Sequence, residues 1–471
     1  KTSRTINYAG MEKPGEPYHN ETDNYKQDHY QLFFDHRVTE QLSLNTGFFY
    51  VKGSGYYEQY KADQAYEGYG LPERVVDNTI TSRTDIIRQL WLDNDFYGNI
   101  FSLLHKTASK QITFGGAITR YKGDHFGELV WAMHGMEEPK HRWYDLAADK
   151  KDFNLFTKWQ QHLSPEVQLF ADLQYRTVRY FIDGFRDNPG LRIDNTYHFI
   201  NPKAGITYNN SGWQFFSSYS IGNKEPNRDD FEAGNYQQPK REQLHDLEIG
   251  IERNHSRLSW AATMYYMRYK DQLVLTGKIN DVGAYTRTNI DDSYRFGIEL
   301  QNKAVLTDWL HWNGNVTLSR NKVEGFTEYI DDYDNGGQKA NWYSETDLSF
   351  SPGLVGAGTV VILPGKGLEV NLISKYVGKQ FLDNTQNETR KLRPFFTEDL
   401  LISYSFDKPV WKHAKLLFQV SNLFNAKYEP NGYTFSYYAG NQLSTENFYY
   451  PMAGINCMIG VNIRFEKERE N

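Results

Sequence analysis

The stretch Ala453–Phe465 reads Ala-Gly-Ile-Asn-Cys-Met-Ile-Gly-Val-Asn-Ile-Arg-Phe. Ile455, Cys457, Ile459, Val461, Ile463 and Phe465 fall on one face of a strand. Asn456, Met458, Gly460, Asn462 and Arg464 fall on the other, because successive side chains of a strand point to opposite sides. Such a strand separates an apolar surface from a mostly polar one. A soluble sandwich makes the same pattern, so the decision rests on whether the rest of the chain repeats it, and with what spacing.

The chain does repeat it. From Tyr25 the sequence alternates in segments that predict strands at 25–37, 41–52, 83–106, 111–122, 152–162, 166–182, 197–208, 212–220 and 243–253. The pattern continues at 256–270, 292–303, 308–323, 344–363, 367–382, 397–406, 414–423 and 453–465. Trp312, Gly314, Val316 and Leu318 oppose Asn313, Asn315, Thr317 and Ser319. Leu247, Ile249 and Ile251 oppose Glu248 and Glu252, while Phe296, Ile298 and Leu300 oppose Glu299, and Leu368 and Val370 oppose Glu369. Carboxylates are expensive to bury in an apolar core, so the second face meets water or another polar surface.

The connections alternate in length. Short turns are expected at Val38–Gln41, Thr107–Lys110, Ser164–Glu166, Asn209–Gly212, Asn254–Ser256, Ala304–Asp308, Pro364–Lys366 and Asp407–His413. Long loops, such as 53–82, 123–151, 221–242, 324–343 and 424–452, lie between them. Short turns at one end and long loops at the other predict an all-β, antiparallel, up-and-down transmembrane β-barrel of the bacterial outer membrane. An open sheet of this many strands would leave edges that invite aggregation.

Composition agrees. Aromatics reach 16%, with 35 Tyr, yet the mean hydropathy is −0.71. A polar lumen, polar loops and aromatic girdles reconcile the two values. No apolar run reaches the roughly 18 residues of a transmembrane helix. With 52 Lys+Arg against 59 Asp+Glu, a net charge of −7, no nucleic-acid partner is expected. One cysteine, Cys457, excludes an internal disulfide framework and a CxxC metal site.

The last strand ends on the short-turn side and the first runs the same way, so the two would be parallel. Bacterial single-chain barrels have even strand counts and avoid this. The sequence, with about 17 predicted strands, therefore reads as the C-terminal part of a larger barrel. Residues 1–24 are expected to be a partial extracellular loop, 25–465 the barrel wall and 466–471 a periplasmic tail. The chain starts at Lys1 without Met or signal peptide, which fits a fragment or processed product.

Several motifs resemble the TonB-dependent outer-membrane receptors of Gram-negative bacteria. Ser421–Phe435, SNLFNAKYEPNGYTF, followed by Tyr450-Pro-Met-Ala-Gly-Ile-Asn and Arg464-Phe465, is similar to that family's C-terminal signature. Asn223–Phe231, NKEPNRDDF, resembles its Pro-containing segment at the outer rim, and Ser374–Thr385 and Asp271–Ser293 are also similar. The tail Glu466–Asn471 departs from the usual terminal aromatic. The resemblance implies a barrel of about 22 strands occluded by an N-terminal plug, of which the TonB box, plug and first five or so strands are not in this sequence. It further implies a non-enzymatic transporter that takes up a scarce ligand, an iron–siderophore or related metal chelate. Its partners would be outer-membrane lipid and, through the plug, TonB-ExbB-ExbD. Haem, cobalamin or glycan is the alternative substrate, and a plugless passive porin or adhesin the alternative function.

Candidate ligand contacts lie in the long loops: His125, Trp131, His134, His141 and Trp143 in one, Asn227 and Arg228 in another, Tyr333 and Tyr343 in a third. Imidazoles and aromatics suit a haem or metal chelate; the competing reading is a polar loop with scattered histidines. The haem-receptor pattern of a histidine between Pro-containing motifs is not matched near Glu225-Pro226-Asn227. Asp331–Gly337 looks like a calcium loop, but Tyr343 stands where an EF-hand needs its Glu. No bound metal or cofactor is expected, and no nucleophile elbow, phosphate loop or zinc motif is present.

Overall fold

A computed structural model describes residues 4, 10–186, 188–233, 238–279, 285–406 and 414–463. The expected Asp407–His413 turn, the closing Arg464-Phe465 and the tail lie outside the described residues. The strands in chain order are β1 (Asp23–Arg37), β2 (Leu42–Ala65), β3 (Arg74–Val76), β4 (Thr79–Thr81), β5 (Arg83–Lys106), β6 (Lys110–Ala132), β7 (His141–His162) and β8 (Val167–Asp183). Next come β9 (Arg192–Asn210), β10 (Trp213–Lys224), β11 (Glu242–Asn254), β12 (Leu258–Ile279), β13 (Tyr285–Thr307), β14 (Leu310–Asp332), β15 (Gln338–Asp347) and β16 (Leu354–Gly365). The remainder are β17 (Leu368–Val377), β18 (Gln380–Phe381), β19 (Lys391–Leu392), β20 (Phe395–Phe406), β21 (Ala414–Ser421), β22 (Asn431–Ala439), β23 (Gln442–Tyr450) and β24 (Asn456–Ile463). Among the described residues the only helical pieces are two 3-10 turns, Glu67–Tyr69 and Arg228–Ala233.

The chain divides into two compact units. The first holds Lys1–Trp159, Asp172–Asn201 and Asn227–Gln238. Its antiparallel ladder runs β1–β2–β5–β6. Leu44 pairs with Leu103 and Leu103 with Phe114, so Leu and Phe line one face across three strands. Asn94 and Gly123 form an opposed pair on the other face. Tight hairpins close one end: Val38 N–H donates to Leu42 O at 2.9 Å and Thr107 N–H to Lys110 O at 2.8 Å.

The second unit holds Gln160–Ala171, Pro202–Pro226 and Pro239–Asn471. Its ladder runs β10–β11–β12–β13–β14–β16–β17–β20–β21–β24. Register turns the alternation of single strands into continuous rows. Ile249 pairs with Met264, Met264 with Ile298, Ile298 with Leu318 and Leu318 with Leu354. A parallel row joins Trp312, Val360, Leu372, Leu400, Val420 and Cys457. The apolar face of the closing stretch is thus the last link of a belt that begins many strands earlier. These side chains are exposed or half-buried: Ile298 is 41% and Leu318 52% exposed, while Trp312, Val360 and Leu372 are half-buried. The opposite face carries Thr263, Glu299 and Thr317 in register.

Every strand expected from the alternation has a counterpart, but several boundaries differ. The expected strand 344–363 is two elements, because β15 pairs with the upper part of β14 and β16 with its lower part. Between them Phe350 takes a φ of 51°, which breaks the extended run. The expected strand 367–382 ends at Val377. The predicted long loops also carry more strand than expected. β2, β6 and β12 run on as extensions, and β22–β23 forms a hairpin inside 424–452.

Candidate ligand site

In the first unit the expected contact residues separate. Trp143 packs against a small core of Tyr66, Tyr69, Leu71, Ile86, Leu129 and Ala132, with its ring edge-on to Tyr69 at 5.1 Å. His141 Nε2 lies 2.7 Å from the carbonyl oxygen of Tyr69. Trp131 stacks on Tyr60 at 6.3 Å. His134 is exposed, and its N–H donates to Thr84 Oγ1. His141 and Trp143 are therefore engaged by the loop-end core. No group of three or more metal-ligating side chains converges among the described residues.

His125 and Arg228 are brought together. Burial and the nearby Arg228 charge push the His125 imidazole down to about 4, so it is neutral at physiological pH. Arg228 donates to Gly184 O at 3.2 Å and lies 4.8 Å over the Phe185 ring. Asn227 is exposed and caps the following 3-10 turn, its N–H donating to Asp230 Oδ2 at 2.6 Å.

The second unit contains the more complete arrangement. A cavity of about 330 Å³ lies between the upper part of β14, the segment carrying β18 and β19, and β22. What points β14 into it is Gly325. Along β14 as far as Ile330 the buried residues are Asn321 and Val323, then Phe326, Glu328 and Ile330. The buried face passes from odd to even numbers at Gly325, whose φ is 73°, a conformation that costs L side chains energy and glycine little. Val323 and Phe326 consequently share one core with Val274, Ile290 and Leu348.

At the polar end of the cavity Arg390 is buried beside two carboxylates. Its Nη1 donates to Glu328 Oε1 at 2.5 Å and to Asp383 Oδ2 at 2.9 Å. Glu328 Oε2 accepts from Tyr343 Oη at 3.0 Å and from Asn341 Nδ2 at 3.3 Å. Asp383 Oδ1 accepts from the N–H and hydroxyl of Thr385. Burial would lower the Arg390 pKa, but its bonds to Glu328 and Asp383 win and raise it. Burial and Glu328 together push the Tyr343 phenol up to about 12. The segment holds its shape through Leu382 N–H to Arg390 O and Phe350 N–H to Phe381 O. Arg390 Nε is buried without a hydrogen-bond partner. A buried unmet donor is rare in native proteins.

Of the two aromatic residues expected in this region, Tyr343 reaches the cavity's polar end and Tyr333 does not. Tyr333 is 71% exposed and its ring lies 5.6 Å from Tyr437. The acids of 331–334 are used locally. Asp332 accepts from Asn335 and Lys339, and Asp334 accepts from the N–H groups of Gly440 and Asn441. The bonds of Asp334 tie the β14–β15 turn to the β22–β23 hairpin.

Glu328, Asp383 and Arg390 were not anticipated. Asp383 lay inside a quoted motif, but nothing in one-dimensional spacing joins positions 328, 383 and 390. The available signal was Arg390 itself, a cation followed by Leu392 and Phe395 in a loop.

A family model described as "TonB dependent receptor-like, beta-barrel" matches residues 3–423. The chain belongs to that family. Its members are transporters and receptors of the Gram-negative outer membrane. No curated protein matches the sequence. The fold is similar to the closed form of the ferric-catecholate import receptor Fiu from E. coli K12, with TM-score 0.65, 12% identity and coverage of 95% of this chain and 65% of that one. It is similar to the siderophore receptor PiuA from Acinetobacter baumannii, with TM-score 0.68, 14% identity and coverage of 94% and 65%. The copper transporter OprC gives TM-score 0.70, 14% identity and coverage of 93% and 65%. The receptor chain thus spans about two thirds of the length of these structures.

Proposed function

We propose that this receptor barrel imports a scarce extracellular ligand, an iron–siderophore or related metal chelate, across the bacterial outer membrane. The match of the receptor-barrel family model over residues 3–423 carries the reading. Two of the similar structures are described as a ferric-catecholate import receptor and a siderophore receptor, which favours a ferric chelate as cargo. In this reading 25–465 forms the barrel wall, 1–24 belongs to an outer loop, and 466–471 is periplasmic. The belt of Met264, Ile298 and Leu318 faces lipid, and the face with Glu299 lines the lumen. TonB-ExbB-ExbD would supply energy through the plug of the whole receptor.

The outer loops divide the work. His125, Arg228 and Asn227 offer one neutral imidazole, one cation and one exposed amide, while Tyr343 hydrogen-bonds Glu328 of the cavity around Arg390. Equilibrium binding of ferric siderophores, haem, cobalamin and cupric ion to the full-length receptor, purified from outer membranes, tests the reading. A ferric chelate should bind at least about tenfold more tightly than the other probes, which corresponds to about 1.4 kcal/mol. Preference for any other probe, or binding of none, would contradict it.

A further inference from the structure

We propose that the cavity beside Arg390 is a binding site for an uncharged aryl group carrying a hydrogen-bond-accepting oxygen. The inference deepens the transporter reading and rests on it for the source of the ligand, since it assigns one arm of the imported molecule to this cavity.

Three observations carry it. The first is an open valency. Each of the four carboxylate oxygens of Glu328 and Asp383 already accepts at least one hydrogen bond, so no acceptor at this end is left unmet. Arg390 lines the cavity, and its Nε, just beneath that lining, is buried without a partner. What the site lacks is an acceptor, and leaving such a donor unmet costs more than a typical hydrogen bond contributes.

The second is charge. One guanidinium against two carboxylates leaves the polar end with a formal net charge of −1. That charge disfavours an incoming anion, and an incoming cation brings only donors to a site whose open group is itself a donor. A neutral oxygen satisfies Nε without either conflict.

The third is shape. Phe326, Phe350, Tyr433 and Phe435 supply aromatic walls, and the volume is about 330 Å³. An apolar cavity of roughly 150 Å³ is already enough for benzene, so one substituted ring fits with its oxygen directed at Arg390. Aromatic pairs at ring distances of about 4.5–7 Å add stabilisation beyond simple area burial.

Benzamide, benzoate and benzamidinium share one shape and differ in charge, which makes them the probes. Ligand-observed magnetic resonance titration with the full-length receptor in detergent should show benzamide binding about tenfold more tightly than either ion. Arg390→Lys keeps a positive charge between the two carboxylates but removes Nε, and should weaken benzamide about tenfold. Phe435→Ala removes one wall without touching the ion pairs, and should also weaken it. Tyr333→Ala, outside the cavity, should leave it unchanged. Equal binding of the three probes, or undiminished benzamide binding in both Arg390→Lys and Phe435→Ala, would overturn the proposal. Failure of uptake in cells with benzamide binding intact would count against the transporter reading alone.

Discussion

Ile298 and Glu299 are adjacent in sequence and opposite in environment. Ile298 lies between Met264 and Leu318 in the apolar row, and Glu299 between Thr263 and Thr317 on the other face. Replacing Ile298 by Arg should destabilise the folded barrel by roughly 2–4 kcal/mol if that row crosses the bilayer midplane. Glu299→Gln should change little. Urea unfolding from lipid vesicles reads both, and equal effects would mean that the faces are reversed. His125 makes a second residue-scale prediction. Its imidazole titrates near 4, against a reference of 6.5. The unfolded chain therefore takes up its proton first, and the contribution to stability falls as pH drops from about 6.5 to about 4. Arg228→Gln removes one cause of the depression, so the His125 midpoint, followed by magnetic resonance, should rise. A midpoint that stays put would show that burial alone is responsible. Arg390 makes the third. Methionine there strands the buried Glu328 and the half-buried Asp383, and removing one partner of a buried ion pair costs about 3–5 kcal/mol. Hydrogen exchange over 378–392 should show the segment opening more readily by that amount.

At the scale of elements, β14 and its partners decide where side chains go. Gly325→Val forces a branched side chain to a φ of 73° and should cost about 1–3 kcal/mol. The expected readout is faster proteolysis across 324–347, since Phe326, Glu328 and Ile330 depend on the change of face. A protease-resistant variant would show that the face reverses for another reason. The β14–β15 turn is an acid-sensitive element. Hydrogen bonds from Asn335, then Lys339 and the Asn335 and Asp334 backbone, hold the Asp332 carboxyl down to about 2. Because the folded value is the lower one, the stabilisation is present above about 4 and is lost as pH falls toward 2. Exchange of the 331–337 amides should accelerate over that window.

The elements also mark what sequence could and could not tell. Strands such as 308–323 were legible because period-two alternation reports directly which side is apolar. Their upper ends were not, because β2 past Lys52 and β6 past Lys122 lose the apolar face where the strand leaves the belt. The break at Phe350 went unseen since nothing in Leu348-Ser-Phe-Ser-Pro forces a left-handed residue. For the site, Tyr343 was found by its residue type. Glu328, Asp383 and Arg390 meet only after three separate segments fold together, and His141 and Trp143, attractive by type, are used by the loop core.

For the molecule as a whole, the chain belongs to the receptor-barrel family, and each ladder by itself presents one apolar and one polar face. The proposed function makes this chain part of an energised importer. It is tested most directly by uptake of radio-iron, presented as a ferric siderophore, into cells that express the full-length protein with and without TonB. The account predicts saturable uptake that requires the protein and disappears when TonB is absent. Uptake that persists without TonB, or that rises linearly with external concentration as through an open pore, would contradict it.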